Sequence, residues 1–398
     1  MYSIARSQSR TVQRRRRVLT IGHSYCVFLN RRLVHEMTRQ SGAYWDITAV
    51  APKSFRGDLR LIHLEETENE CRLESVPVHL ASRIHFMLYG RELANILRRK
   101  WDLIHCWEEP YIVAGGQVAF LAARQARIVF FTAQNIDKRY PPPFRLIERF
   151  CLERCAGWLA AGECVKQTLL QRGYGCKPHR VMPLGVDVNL FRPNPDARSR
   201  VRTDFNWQDT RIPVIGFVGR FVSEKGLDLL MAVLDQVHVP WRALFVGGGP
   251  LENRLREWAT RYGERVKIVT GVLHHDVPAY INSMDLLCAP SQTTPYWREQ
   301  FGRMLIEAFA CGIPVIASDS GEIPYVVKDA GMIVSEQDQT GWRNSITALL
   351  ESSEQRTLLG AAGMERAHAE YSWSKIARRH LEFFDELLDA PNPVAFSA

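Results

Sequence analysis

The sequence predicts an α/β protein of two domains, each a parallel sheet with helices on both faces. Three observations carry this expectation. The chain has 398 residues, more than one ordinary domain of about 100–200. Short β-branched runs alternate with helical segments of roughly ten to fifteen residues, as parallel strands joined by crossover helices do. The alternation then restarts after residues 183–212, where Pro183, Gly185, Pro193 and Pro195 disfavour a continuous helix or a central strand.

In the first half, strands are expected at Val18–Gly22, Trp45–Ala51, Asp102–Trp107, Ile128–Thr132 and Trp158–Ala161. Helices are expected over Val27–Gln40, the apolar stretch after Pro110, Arg145–Ala156 and Glu163–Arg172. In the second half the expected strands are Val214–Val218, Ala243–Val246, Val266–Val269, Leu286–Ala289, Pro314–Ser318 and Met332–Val334. Helices follow at Leu227–Val237, Leu251–Tyr262 and Arg303–Cys311. Apolar positions Ile376, Leu381, Phe384, Leu387 and Leu388 make Ser372–Leu388 an amphipathic helix. The expected architecture is two Rossmann-like domains facing across a cleft, 18–190 and 191–370, with a C-terminal helix over 371–390 that returns to the first.

Composition narrows the class. Hydrophobic residues make up 46% and charged residues 24%, the balance of a globular protein. The longest uncharged run of the first half, residues 110–123, falls short of the ~20 apolar residues of a membrane-spanning helix. Net charge is +8, and Arg6, Arg10, Arg14, Arg15, Arg16 and Arg17 carry most of it, with no acidic residue before Glu36. Residues 1–17 therefore read as a basic, disordered arm. Two readings of it stay open: contact with anionic lipid, at about 1 kcal/mol per cation near the surface, or a solvated tail. No apolar run of sufficient length separates the arginines from a small-residue cleavage site, which argues against a secretory signal, and the absence of interleaved aromatics argues against nucleic acid. The nine cysteines include no Cys-x-x-Cys pair. Cys151 and Cys155 place two small thiols on one helix face. Reduced thiols and no signal point to the cytoplasm.

The chemistry is concentrated in the second half. Glu299-Gln300-Phe301-Gly302-Arg303-Met304-Leu305-Ile306-Glu307 reads as a loop entering a helix. Glu299 is expected just outside a strand's carboxyl end, where ligands bind in open α/β sheets. Gly302 lets backbone approach a ligand, and free amides of the first helical turn with the helix dipole suit a diphosphate. Glu307 is placed to accept hydrogen bonds from a diol such as ribose. Gly219-Arg220-Phe221-Val222-Ser223-Glu224-Lys225-Gly226 supplies two cations from a glycine-bounded loop, and Gly247-Gly248-Gly249-Pro250 ends the next strand. Cations placed in advance stabilise the charge that grows on a leaving diphosphate.

In this order these segments, with Tyr280…Asp285…Pro290-Ser291 and Gly312-Ile313-Pro314-Val315, resemble the retaining glycosyltransferases of family 4, which have the GT-B fold. The resemblance is strongest over 190–370; Leu184-Gly185-Val186-Asp187…Phe191-Arg192-Pro193 resembles the family's hinge entry, and the rest of the first half matches by pattern only. It implies a nucleotide diphosphate sugar as donor and a glycan or lipid-linked acceptor, with no metal and no other cofactor. Arg220 and Lys225 would hold the diphosphate, and Glu307 the ribose. Glu299 would take hydroxyls of a hexose-type sugar. Amides of Phe301, Gly302, Arg303 and Met304, with Gly249, would complete the phosphate site, and Val272 would face the base. A role in cell-envelope or exopolysaccharide synthesis, at the inner face of the membrane, follows by resemblance alone.

The first half departs from the family's pattern. Gly22-His23 offers one glycine where a pair is common, and Gln134 or Asn135 stands where a histidine is common. Glu108 and Glu109, at a strand end, are candidates for acceptor hydroxyls. His274-His275 reads as a solvated loop pair. Three other functions compete: a nucleotide-sugar epimerase of similar fold, a nicotinamide-dependent oxidoreductase and a non-catalytic nucleotide-sugar-binding protein. The run Gly247–Gly249 lacks the G-x-G-x-x-G spacing that the second would need.

Overall fold

The computed structural model describes residues 14–56, 61–65 and 71–390. Two parallel sheets organise them. One has seven strands, in the spatial order His179–Val181, Gly157–Ala160, Arg127–Thr132, Leu103–Cys106, Arg16–Ile21, Trp45–Pro52, Arg72–Val76. The other has six, in the order Val266–Val269, Arg242–Gly248, Val214–Arg220, Leu286–Ala289, Val315–Ser318, Met332–Val334, every pair parallel. The chain divides into two compact units, one of residues 1–131, 140–157 and 381–398, the other of 132–139 and 158–380.

Side-chain alternation explains why the six-stranded sheet is buried on both faces. Val214, Leu244, Val246, Leu287, Ala289, Val315 and Ala317 feed one hydrophobic core. Their alternates Ile215, Phe217, Ala243, Phe245, Leu286, Cys288 and Ile316 feed the other. Successive strand residues point to opposite faces, so a strand covered twice must be apolar throughout. That is why the continuous apolar runs of the second half were legible as strands.

Three expectations change. The first strand begins at Arg16, not Val18, and Arg16 pairs with Asp385 and Asp389. Arg14 reaches Asp102 at 3.1 Å, and the backbone amide of Arg17 donates to Asp102 Oδ2 at 2.7 Å. These partners take the last arginines out of a free arm; residues 1–13 lie outside the described residues. The stretch 183–212 contains a helix, Pro195–Asp204, that its prolines concealed. Pro195 fills the first helical position, where a missing amide hydrogen costs nothing, and Asn194 Oδ1 caps the helix from Ala197 N at 3.0 Å. Residues 53–100, unassigned from sequence, hold short strands such as Arg72–Val76 and the helix Glu92–Leu97.

The amphipathic C-terminal helix spans Trp373–Asp389 and buries Ile376, Leu381, Phe384 and Leu387. Its residues up to His380 belong to the second unit, and those from Leu381 onward belong to the first. There Phe384 packs edge-on against Trp45, ring centroids 6.4 Å apart.

Candidate functional site

Each sheet has a topological switch point, and a pair of side chains bridges it. In the six-stranded sheet, Val214–Arg220 lies between Arg242–Gly248 and Leu286–Ala289. Loops leaving such a strand and its later neighbour diverge, opening a crevice at the carboxyl ends. Lys225 comes from the first of these loops and Glu299 from the other. Their side chains form an ion pair through Nζ and Oε2, with only 13% and 8% of each exposed. Ser291 Oγ donates to the same carboxylate oxygen at 2.8 Å, and Lys225 Nζ lies 5.3 Å from the Trp297 ring centroid. The two loops meet because residue 226 is glycine. Its φ is +70°, and a Cβ there would come within 1.8 Å of Pro290 O.

The backbone of Glu299 is held as firmly as its side chain. Its carbonyl accepts from Nδ2 of the buried Asn135 at 2.9 Å and from Glu322 N at 3.0 Å. Its amide donates to Ser320 Oγ at 3.3 Å. Gln300 Nε2 donates to Ala133 O at 2.9 Å. Asn135 therefore acts on the Glu299 loop, with its amide nitrogen engaged by protein. Gln134, half-buried beside it, has its backbone amide on Thr132 Oγ1 at 3.3 Å.

Gly302, at φ +81°, opens the helix Arg303–Ala310, and no side chain caps it. Arg303 adds a cation to the positive end of the helix dipole, an arrangement suited to an anion. Glu307, one turn on, is buried. Burial pushes its carboxyl up to about 7, against the pull of the Arg303 guanidinium. His274 Nε2 lies 3.9 Å from Glu307 Oε1 and has no hydrogen-bond partner. Burial, with Arg303 nearby, holds that imidazole down at about 4, so it is neutral and the contact is not an ion pair. The expected solvated pair is thus split: His275 is exposed and His274 half-buried against Phe191, ring centroids 5.3 Å apart.

Other expected residues fall around this centre. Arg220, exposed, stands opposite Gly248 in the strand register, so it opens onto the glycine run that contains Gly249. Among the described residues its guanidinium has no ion-pair partner. The Phe301 ring is buried edge-on to Tyr371, so only its backbone can face a ligand, and the half-buried Met304 packs against the same core. Val272 is half-buried beside the exposed Gly271.

The seven-stranded sheet repeats the device. Its switch point lies between Arg16–Ile21 and Leu103–Cys106, and the loops beyond them carry Gly22-His23 and Glu108-Glu109. Glu108 is fully buried. It accepts from His23 N at 2.5 Å and Tyr89 OH at 2.5 Å, and meets His23 Nδ1 at 2.6 Å. Burial would lower the His23 pKa, but the carboxylate of Glu108 outweighs it and raises the value above the ordinary one. This corrects the reading of Glu108 as a ligand for acceptor hydroxyls: its oxygens are spent holding His23. Glu109 is half-buried. Gly22 lets the loops close, since a Cβ there would lie 2.9 Å from Trp107 Cβ. Beside His23, in the same unit, is a cavity of about 810 Å³ lined by Phe55, Arg56, Arg83, His85 and Phe144 among others.

Sequence reasoning took His274 as solvated and passed over Tyr89, Arg56, Arg83 and Glu322. The His-His doublet one residue beyond Gly271-Val272 was a usable signal for His274. Glu322 had none: it accepts from Glu163 N at 2.6 Å and Cys164 N at 2.8 Å, capping a helix more than 150 residues away in sequence.

Two family descriptions match the chain: "Glycosyltransferase Family 4" over residues 31–190 and "Glycosyl transferases group 1" over residues 202–366. Among curated proteins, the chain is 34% identical over 205 residues to a GDP-mannose-dependent monoacylated alpha-(1-6)-phosphatidylinositol monomannoside mannosyltransferase of Corynebacterium glutamicum, covering 50% of this chain and 54% of that protein. It is 26% identical to a D-inositol 3-phosphate glycosyltransferase of Corynebacterium jeikeium, covering 80% of this chain and 74% of that one. The chain spans about half the length of the first of these relatives. Among solved structures, a glycosyltransferase from Rickettsia africae superposes with a TM-score of 0.74 at 18% identity, covering 95% of this chain and 100% of that one. Anabaena Alr3699/HepE in complex with UDP and glucose gives 0.72 at 17%, covering 93% and 100%. At these identities the structures establish the fold.

Proposed function

Since this chain belongs to the family 4 glycosyltransferases, we propose that it transfers a hexose-type sugar from a nucleotide diphosphate donor to a glycan or lipid-linked acceptor, retaining the anomeric configuration and needing no metal. The observation that carries this reading is the Lys225–Glu299 pair across the switch point. In the free protein each group neutralises the other. A donor diphosphate is a better partner for Lys225 than a carboxylate that also accepts from Ser291. When Lys225 turns to phosphate, Glu299 is released to accept hydrogen bonds from hydroxyls of the transferred sugar. Arg220, Lys225 and the uncapped helix start at Gly302 then face the leaving diphosphate, where charge grows as the bond from the sugar's anomeric carbon to phosphate oxygen breaks. These protein cations do the work a metal would otherwise do. The acceptor hydroxyl attacks on the face the diphosphate leaves, its proton passes to a phosphate oxygen, and the new glycosidic bond keeps the configuration. Glu307 and His274 are the polar groups available to the nucleoside.

The acceptor reading rests on the cavity beside His23. Arg56, Arg83 and His85 line it, no carboxylate does among the described residues, and aromatic rings complete the wall. Cations with aromatic faces suit a polyol or glycan that carries a phosphate. The matched relatives named above act on a phosphatidylinositol monomannoside and on D-inositol 3-phosphate, both phosphate-bearing. Such acceptors fit a cytoplasmic enzyme of envelope or exopolysaccharide synthesis that works against a membrane.

The test is a calorimetric panel of UDP-, GDP- and ADP-sugars, followed by incubation of the best binder with inositol phosphate and phosphatidylinositol mannoside acceptors in EDTA. A glycosylated product whose anomeric configuration matches the donor supports the proposal. Epimerised donor with no transfer to any acceptor would replace it with an isomerase.

A further inference from the structure

Three large apolar side chains of the first unit point into solvent together. Phe120 is 77% exposed, Leu146 64% and Phe150 42%. Leu146 and Phe150 stand four residues apart on the helix Pro142–Arg154, which buries Phe144, Glu148, Cys151 and Leu152 on its other side. That spacing puts them on one outward face. Phe120 is on the neighbouring helix, Val113–Leu121. The two helices run in the same direction. Gly116 lies against Ile147, and Arg154 Nη2 donates to Ala123 O at 3.1 Å. Phe120, between Gly116 and Ala123, therefore falls beside the turn that carries Phe150.

Arginines surround this patch. Arg124, Arg145 and Arg149 are exposed, and Arg154 is half-buried. Glu153 is the one exposed carboxylate of the helix Pro142–Arg154, and Arg149 pairs with it at 2.6 Å. Isolated exposed apolar residues are ordinary, but a cluster of three rimmed by cations marks a contact surface. Its chemistry is that of an interfacial helix face, apolar at the centre for acyl chains and cationic at the rim for anionic headgroups.

We propose that the outer face of these two helices docks the protein on an anionic lipid bilayer. The inference goes beyond the transfer reaction and does not depend on it, because vesicle binding needs neither donor nor turnover. It also places the contact on the folded body instead of the arginine arm.

Flotation of the full chain with phosphatidylcholine vesicles, with and without phosphatidylglycerol, tests it. The expected result is binding that requires phosphatidylglycerol and weakens with salt. Leu146→Glu with Phe150→Glu should weaken it by about a hundredfold, roughly tenfold for each apolar side chain removed. Arg124→Gln with Arg145→Gln should weaken it by about tenfold or more while leaving phosphatidylcholine background unchanged. Both positions of the first variant are exposed, so circular dichroism and melting should match the parent. Arg6→Gln with Arg10→Gln should keep most of the binding. The proposal is overturned if the parent does not float, if the helix-face variants float like the parent, or if only the arm variant loses binding. It is equally overturned if light scattering shows a dimer that Leu146→Glu with Phe150→Glu dissociates, which would assign the face to a second copy of this chain.

Discussion

His23 meets Glu108 twice, through its backbone amide at 2.5 Å and its ring Nδ1 at 2.6 Å, and so ties together the two loops that diverge from the first sheet's switch point. Lys225 and Glu299 do the same above the second sheet. In each case a basic group follows the strand of its sheet that comes first in the chain, and the carboxylate follows the neighbour reached later. The two carboxylates differ in what else they touch. Glu108 is fully buried and also taken by Tyr89, whereas among the described residues the Glu299 carboxylate shares only Lys225 and Ser291. A saturated carboxylate holds its partner still; a less committed one can exchange it for a ligand.

The first prediction concerns His23. Glu108 keeps its imidazole charged above the ordinary histidine pKa despite burial. A raised histidine pKa contributes stability below the unfolded value that is lost as pH rises through the folded one. Glu108→Gln should therefore drop the His23 titration, followed by NMR, below that of the parent. It should also remove the parent's loss of stability on going from slightly acid to alkaline pH. An unchanged His23 titration would mean the carboxylate does not set its charge.

Lys225→Ala should weaken nucleoside diphosphate binding by about ten- to a hundredfold in calorimetry, the worth of one charge-assisted bond to phosphate. The variant also leaves Glu299 buried without its cation, so a lower melting temperature is expected in the absence of nucleotide. An unchanged dissociation constant would remove Lys225 from the phosphate site.

Glu307 gives a pH-dependent stability of known sign. Its folded pKa, about 7, lies above the ordinary carboxyl value, so the native state holds an extra proton in the window between them. Stability falls as pH rises through that window. Glu307→Gln should thus be more stable than the parent at pH 8, by on the order of 1–3 kcal/mol, and nearly equal to it at pH 4. Parallel melting curves at the two pH values would show that the carboxyl is ionised at no cost.

Asn135→Ala removes the side chain that fixes the Glu299 carbonyl. Loss of one buried hydrogen bond should cost about 1–2 kcal/mol of stability. Turnover should fall by about tenfold or more through misplacement of the Glu299 loop, with nucleotide affinity little changed. Equal losses in affinity and turnover would argue that the whole donor site, not one loop, had moved.

Much of this protein was written in its sequence. The strands of the second half were legible because a strand covered on both faces needs an unbroken apolar run, as Val214–Val218 and Leu286–Ala289 have. The motif residues Glu299, Glu307, Arg220 and Lys225 could be singled out as candidates because glycines and charges cluster where such strands end and the next helices begin. The helix Pro195–Asp204 was not, since its prolines read as breakers until their place at the first turn was known. Tertiary structure alone decided which charges meet. Lys225 and Glu299 are 74 residues apart, His23 and Glu108 are 85 apart, and Asn135 and Glu299 are 164 apart. Local patterns report the face a residue presents and the element it belongs to; partners that distant are chosen by strand order, which places one loop beside another and leaves the local sequence of each unchanged.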